Sequence, residues 1–296
     1  MTEQDTRKGI ALMVGTTVIF ALQDALSRHL AGEYNVLMVV MIRYWFFAAF
    51  VLAVAARAPG GLRAAARSRR PLVQALRGLL LVGEICVMVL SFTLLGLVES
   101  HAVFTCYPLL VAALSGPVLR ERVGWRRWTA IAIGFVGVLV ILQPGRAVFA
   151  PEAAVPLVAA AMFALYGLLT RYVGREDAAS VSFFWTGTVG AVAITAVGIW
   201  HWEWMTPADW GWMLVLCIGA MSAHWMLIRA YEVAEASALQ PFAYLQLVWV
   251  TAVGLTLFGE VLRPEVVAGA AIVVGAGLFT LWRSRRKGAP LPARRI

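Results

Sequence analysis

Long apolar runs alternate with mostly short polar connections along the whole chain. Crossing about 30 Å of hydrocarbon takes about 20 helical residues, because each residue rises about 1.5 Å. Runs of that length occur ten times. The pattern predicts an all-α integral membrane protein of ten transmembrane helices, with neighbouring helices antiparallel. The predicted spans are 9–30, 36–56, 74–96, 101–119, 125–143, 153–173, 178–200, 207–231, 237–258 and 265–283.

Arginine and lysine are divided unevenly between the two sets of connections. Twenty of the 25 lie in one set together with the termini, whereas the other set holds only Arg28, Arg146 and Arg263; Arg43 and Arg77 lie within spans. Cytoplasmic loops carry the excess of basic residues, so both termini are expected in the cytoplasm. We predict a multi-pass protein of a bacterial inner (plasma) membrane.

Composition agrees with this class. The 296 residues are 61% hydrophobic and 14% charged, against about 45–50% and about 25% in soluble domains. The net charge of +9 comes from short clusters between apolar runs, not from a basic stripe interleaved with exposed aromatics, so nucleic acid is not an expected partner. A lipid bilayer and a small-molecule substrate are. The three cysteines lie in apolar runs without metal-ligand spacing, so no metal or other cofactor is expected. Five tryptophans within 200–212 indicate an interfacial belt more simply than a ligand site.

Three segments of the first half resemble segments of the second half. The pairs are 20–28 with 163–171, 98–102 with 234–238, and 119–123 with 258–262. Each half has five spans, an odd number, so the second copy would enter the membrane upside down. The connection after Glu121 is rich in arginine whereas its counterpart after Glu260 has only Arg263, which fits opposite sides. We predict a first repeat at 1–147, an inverted second repeat at 148–283 and a basic cytoplasmic tail at 284–296, around a central cavity.

Two stretches, Tyr107-Pro108 to Glu121 and Glu260 to Gly277, resemble the drug/metabolite transporter superfamily in its ten-helix EamA-like type, and the resemblance covers nearly the whole chain. Within that type the chain resembles bacterial aromatic amino-acid exporters. The resemblance implies a cavity lined by the first, third and fourth helices of each repeat, which here are spans 1, 3, 4, 6, 8 and 9. The second repeat departs from the first in carrying Pro241 a few residues before the position of Pro108, so unwinding of the ninth helix is expected elsewhere.

Polar or aromatic residues at mid-depth in those six spans are the candidate cavity residues. They are Gln23, Asp24, Glu84, Tyr107, Tyr166, His224, Trp225, Tyr244 and Gln246. Helix packing is the alternative interpretation of the aromatic ones. Tyr107 is favoured for substrate contact, since it precedes Pro108 and corresponds to an aromatic substrate contact in the small four-helix multidrug relatives.

Asp24 and Arg43 lie at similar distances from the predicted outer turn, so we predict a structural ion pair between them, with a direct substrate role for Asp24 as the alternative. Glu84 and His224 are expected at comparable depth, either as a proton-sensitive pair or as hydrogen-bonded interior groups.

The four-helix relatives keep a carboxylate in the first helix eight residues before its closing cation. Phe20 and Phe163 occupy those positions here. Proton antiport by that mechanism is therefore not expected, nor are cationic drugs as substrates. Facilitated diffusion remains open, as does coupling through Asp24 or Glu84.

Other classes lack their signatures. The sequence has no HExxH, GxSxG or Walker motif, its four histidines are scattered, and no ring of charge indicates a channel. We therefore predict a transporter, not an enzyme, that works by alternating access as an exporter or facilitator of small metabolites, above all amino acids including aromatic ones. Nucleosides, nucleotide-sugars or organic anions are the alternative, although only Arg43 and Arg77 lie within spans to meet a phosphate. A single chain holds both halves and is expected to function as a monomer.

Overall fold

The computed structural model describes residues 3–119, 125–142, 151–174, 176–233, 239 and 242–287. Glu121, Arg146, Pro241, the predicted repeat boundary at 147 and residues 288–296 of the predicted tail lie outside the described residues. The helices are α1 Glu3–Glu33, α2 Val36–Arg57, α3 Gly61–Ala66, α4 Pro71–Leu95, α5 Leu97–Phe104, α6 Tyr107–Leu119, α7 Trp125–Leu142, α8 Val155–Val173, α9 Ala179–Gly198, α10 Pro207–Val233, α11 Leu245–Leu257 and α12 Pro264–Lys287. Helix α12 thus continues into the first residues of the predicted tail.

The described part of the chain is all-helical and has the dimensions of a multi-pass membrane protein. Six stretches are long and apolar enough to cross a membrane by length and composition, one of them running from α5 through a two-residue turn into α6. Four shorter apolar helices accompany them in the described residues. Many large apolar side chains stay exposed on the surface of the bundle, among them Leu72, Val192 and Trp200. A water-soluble protein of this size would not expose so much contiguous apolar surface, whereas a bilayer covers it.

The fourth predicted span differs from the expectation at both its start and its middle. It begins at Leu97 rather than 101, directly after Gly96, whose φ of 84° ends α4. Two turn residues, Thr105 and Cys106, then divide it into α5 and α6. Pro108 lies in the first turn of α6, where its missing N–H costs no helical hydrogen bond. The break therefore falls just before the Tyr107-Pro108 pair.

Helices of the first half pack mainly on helices of the second half. The main pairs are α1 with α10, α4 with α8, α2 with α9, α7 with α12, α6 with α8, α1 with α11, and α4 with α9. Exchanging the five predicted spans of one half for those of the other maps the first six of these pairs onto members of the same six. The first pair becomes the second, the fifth becomes the sixth, and α2–α9 and α7–α12 become themselves. The exception is α4–α9, whose counterpart α2–α10 is a weaker contact.

Two glycines bring α7 and α12 into close backbone contact. A Cβ placed on Gly269 would lie 2.5 Å from the carbonyl oxygen of Gly137, and a Cβ on Gly137 would lie 2.7 Å from the carbonyl oxygen of Gly269. Small residues at such crossings are typical of membrane helices, which gain much of their stability from close packing.

Candidate transport site

A buried polar cluster joins three helices in the interior of the bundle. The Asp24 carboxylate of α1 lies 3.1 Å from Nε2 of His101 on α5. The Gln246 amide of α11 donates to the same carboxylate oxygen, also at 3.1 Å. Nδ1 of His101 lies 3.1 Å from the carbonyl oxygen of Leu97, one turn earlier on α5. Asp24 and His101 are both buried, so this cluster is shielded from bulk solvent.

The predicted pair of Asp24 with Arg43 is not what the structure shows. Both side chains lie in the described part of the chain, yet no N–O distance of 4 Å or less joins them, and His101 takes the place expected for Arg43. Similar depth did not fix which way each helix turns its side chain. Arg43 instead lines a small cavity of about 30 Å³ with His224 of α10, enough for one or two waters.

Four half-buried aromatic rings continue from this polar cluster. The Phe163 ring of α8 lies 5.0 Å from Tyr107, 5.5 Å from Phe104 and 6.1 Å from Tyr166, measured between centroids. Phe104 also lies 6.4 Å from the His101 ring. We call Phe104, Tyr107, Phe163 and Tyr166 the aromatic cluster. Its rings lie on α5, α6 and α8, on both sides of the helix break, so they present aromatic surface beside the buried carboxylate.

Arg77 of α4 lies at the end of the aromatic cluster formed by Tyr166. Its guanidinium lies 5.0 Å from the centroid of the Tyr166 ring and donates to the Thr170 hydroxyl at 2.8 Å. It also donates to Gln74, one turn away on α4. The side chain is only 1% exposed, so these contacts satisfy a cation that would otherwise be costly to bury.

A hydrogen-bonded carboxylate outside the spans completes this end of the bundle. Asp177, between α8 and α9, accepts hydrogen bonds from the Arg69 amide at 2.9 Å, from the Gln74 side chain at 2.8 Å and from the Ser68 hydroxyl. Burial alone would raise the pKa of the Asp177 carboxyl, but these hydrogen bonds outweigh it and hold that pKa below its usual range.

A second carboxylate closes the opposite end. Glu260, which follows α11, accepts hydrogen bonds from the amides of Leu97 and Val98 at 2.7 and 2.9 Å and pairs with Arg28 of α1. The first amides of a helix lack partners within the helix, so this carboxylate caps α5. Gly96 permits the approach, because a Cβ there would lie 2.6 Å from Glu260 Oε1.

Three further candidates, Glu84, His224 and Tyr244, lie outside the polar and aromatic clusters. Glu84 is buried and interacts electrostatically with Arg43, while His224 bonds through Nδ1 to the carbonyl oxygen of Ala220 at 2.8 Å. No N–O contact within 4 Å joins Glu84 to His224, although both are described, so no direct contact supports the proton-sensitive pair, which was one of the two alternatives. The Tyr244 ring packs against Gly277 of α12.

Trp225 does not line the interior of the bundle. The buried residues Met213, Leu216, Ala220 and Ala223 recur at helical spacing on the face of α10 that packs inward, and Trp225 lies on the opposite side, 55% exposed. Its assignment to the cavity is therefore corrected to a position on the outer surface.

His101, Phe104, Phe163 and Glu260 are site residues that sequence reasoning did not select. In the sequence His101 stands out only as one of four scattered histidines, and the predicted fourth span begins at that residue. Placing the helix start after Gly96 would have moved His101 one turn inward, about 6 Å, to the depth of Asp24. Phe163 was noted only for lacking a charge.

Comparison with known proteins gives the class. Residues 7–143 match the EamA-like transporter family. The S-adenosylmethionine uptake transporter of Rickettsia prowazekii is 27% identical over 94% of each chain, and the riboflavin transporter of Vibrio cholerae is 30% identical over 64% of each chain. A solved structure, described as the crystal structure of a protein, superposes with a TM-score of 0.61 at 17% identity over 98% of this chain and all of that one. That last likeness concerns the fold alone.

These similarities confirm the coarse predictions. The chain is a multi-pass membrane transporter of small metabolites and not an enzyme, and its residues 7–143 are similar to the EamA-like transporter family. The relatives quoted above are named for S-adenosylmethionine and riboflavin, so they give no support to the narrower expectation of amino-acid export.

Proposed function

We propose that this relative of the EamA-like transporters carries a small metabolite with a flat, nitrogen-containing aromatic ring system across a bacterial inner membrane by alternating access. The observation that carries the proposal is the aromatic cluster beside the Asp24–His101–Gln246 group. Flat rings stack on aromatic side chains, and a few polar groups fix their orientation.

The polar end of the site offers a matching acceptor. The Gln23 side chain lies next to Asp24, and its Oε1 is buried without a hydrogen-bond partner among the described residues. A buried carbonyl oxygen without a donor costs free energy, and a substrate N–H would satisfy it. Adenine carries an amine and riboflavin an imide N–H, so the substrates named for the two relatives share both a flat ring and a donor of this kind.

The architecture we propose is the predicted one: repeats at 1–147 and 148–283 of opposite orientation, a basic tail at 284–296, and both termini in the cytoplasm. The exchange of helix pairs between the halves supports it, as does the uneven distribution of arginine and lysine. Since the two halves pack on each other within one chain, we propose the monomer as the transport unit.

Binding to the purified protein tests the substrate class. Riboflavin is followed by its own fluorescence, S-adenosylmethionine by a radiolabel, and phenylalanine and tryptophan compete as probes for the amino-acid alternative. Removing one stacking ring by Phe163→Ala should weaken binding roughly fivefold or more, since such stacking contributes about 1–3 kcal/mol. Phe163→Tyr keeps a ring and should bind nearly as well as the unchanged protein.

Phe279→Ala is the matched control, because that ring lies exposed on α12, away from the site. Its affinities should be unchanged. Equal binding by Phe163→Ala and the unchanged protein would contradict the proposed site. Tighter binding of phenylalanine or tryptophan than of both riboflavin and S-adenosylmethionine would instead favour amino acids as the substrate.

A further inference from the structure

The contacts around His101 point to a proton shared with Asp24. The carbonyl oxygen of Leu97 can only accept, so Nδ1 of His101 carries the hydrogen of that 3.1 Å contact. Nε2 then faces Asp24 Oδ2 at 3.1 Å. The Gln246 amide nitrogen lies 3.1 Å from that oxygen and 3.4 Å from Nε2, and its hydrogen bond goes to the closer carboxylate. A bare Nε2 and the carboxylate would still repel each other at 3.1 Å, so we infer one proton between them, on the imidazole or on the carboxyl. Either way the pair holds one proton and has no net charge.

From this geometry we propose that Asp24 and His101 form a proton-binding site that couples transport to a proton gradient. The inference rests on the proposed transport function and adds the coupling ion to it. Loading adds one proton from water to the pair. Unloading returns that proton to water and leaves a neutral imidazole beside a carboxylate, with a net charge of −1.

Burial gives the protonated, neutral pair a lower free energy than the unprotonated pair, which carries a charge of −1. Asp24 and His101 are buried between α1, α5 and α11, and an uncompensated charge in such a place costs several kcal/mol. The closed arrangement therefore favours the loaded, neutral pair. Unloading requires the helices to separate and admit water, and this requirement links the proton to the conformational change.

The charged groups around the pair do not supply a substitute for the proton. Among the described residues, Glu84 of α4 and His224 of α10 interact electrostatically with Asp24, and Arg43 of α2 interacts with both of them. On α1 and α5 themselves, Arg28 and Glu99 are engaged with Glu260 and Arg263. Gln246, which α11 contributes, is uncharged. No cation within 4 Å replaces His101 as the partner of Asp24 in the described part of the chain.

The pair is also connected to the Glu260 cap. Leu97 accepts from His101 through its carbonyl oxygen and donates to Glu260 through its amide. Arg28, the partner of Glu260, lies one turn from Asp24 on α1. Loss of the proton would weaken the contact between Asp24 and His101, and so the contact of α1 with α5. The same two helices are joined at this end of the bundle by Glu260, which binds Arg28 of α1 and the first amides of α5.

Transport in liposomes gives the first test. With the membrane potential clamped, a gradient of about one pH unit should drive riboflavin or S-adenosylmethionine above equilibrium, by up to roughly tenfold per proton since one unit is about 1.4 kcal/mol. Asp24→Asn should abolish this accumulation, so that any entry of the probe that remains stops at equilibrium. Asp209→Asn is the matched control: it removes another Asp–His contact, that of Asp209 with His29 at 3.4 Å, and should keep the accumulation.

Accumulation by Asp24→Asn equal to that of the unchanged protein would overturn the proposal, and so would an unchanged protein that moves a probe without responding to the gradient. Should Asp24→Asn fail to fold, Asp24→Glu and His101→Gln replace it. The first retains a titratable carboxyl and should accumulate the probe, whereas the second should only equilibrate it.

A measurement without substrate separates this inference from the proposed function. The chain has four histidines, so nitrogen-15 labelling of histidine gives four ring spectra, and His101→Gln assigns one of them. The His101 spectrum should show a protonated Nδ1 and should change in Asp24→Asn but not in Asp209→Asn. An identical His101 spectrum with and without Asp24 would refute the shared proton. If neither probe moves in liposomes, the proposed substrate class fails while this spectrum still decides on the proton site.

Discussion

Glu260 gives a sharp prediction about what holds one end of the bundle together. Its carboxylate accepts from two backbone amides at 2.7 and 2.9 Å and pairs with Arg28, whose side chain is only 21% exposed. Glu260→Gln keeps an acceptor oxygen but removes the charge from three interactions. Hydrogen bonds to charged groups exceed neutral ones by about 1 kcal/mol each, so the expected loss is about 2–3 kcal/mol. Glu260→Ala, which leaves the amides of α5 and the Arg28 cation without this partner, should cost about 3–5 kcal/mol.

Thermal unfolding of the purified protein in detergent, followed by tryptophan fluorescence, measures this loss as a fall in Tm. For a chain of this size about 2–3 kcal/mol corresponds to a fall of roughly 5–10 °C. Glu99→Gln is the matched control on the same helix, since its pair with Arg263 is exposed at both partners, 29% and 46%, and should change stability by about 1 kcal/mol or less. Equal Tm values for Glu260→Gln and Glu99→Gln would refute the assignment of Glu260 as the cap of α5.

Two further changes test the packing and the electrostatics of the bundle. Gly269→Ala forces a Cβ against the backbone of Gly137 and should destabilise by about 1–3 kcal/mol, whereas Gly275→Ala on the same helix meets nothing within 4 Å and should be neutral in the same unfolding assay. Asp177→Asn should destabilise by about 1–3 kcal/mol at neutral pH. Because the pKa of Asp177 is lowered in the folded state, its contribution is complete above the unfolded value of about 3.9 and is lost as the pH falls through the lower native value. The Tm difference between Asp177→Asn and the unchanged protein should therefore shrink below about pH 4, and a difference that persists there would contradict the hydrogen-bonded carboxylate.

Hydrophobic patterning predicted most of the fold. Helices as long as α2 or α9 need little more than an apolar run of the right length with polar ends, and their bounds agree with the prediction within a few residues. The fourth span failed because Gly96 allows a new helix to start after a single residue, at a positive φ that a hydropathy pattern does not reveal. Pro108 is the one residue in the sequence that indicates the break at Thr105 and Cys106.

The site was predicted less well than the fold. Depth along a helix follows from counting residues, and it placed Asp24 correctly in the interior. The direction of a side chain depends on how each helix is rotated against its neighbours, so Asp24 was assigned Arg43 and Trp225 was assigned to the cavity. The contacts of Asp24 with His101 and Gln246 span 77 and 222 residues of sequence, and no local spacing encodes them.

Exchange across a membrane tests the central proposal most directly. Liposomes containing the purified protein are loaded with unlabelled riboflavin or S-adenosylmethionine and diluted into a trace of the same labelled compound. We expect the label to enter transiently above its equilibrium level for at least one of the two, and expect Phe163→Ala to slow that entry at low substrate concentration. Entry of labelled tryptophan or phenylalanine under matched conditions, with no entry of either flat-ringed compound, would contradict the proposed function.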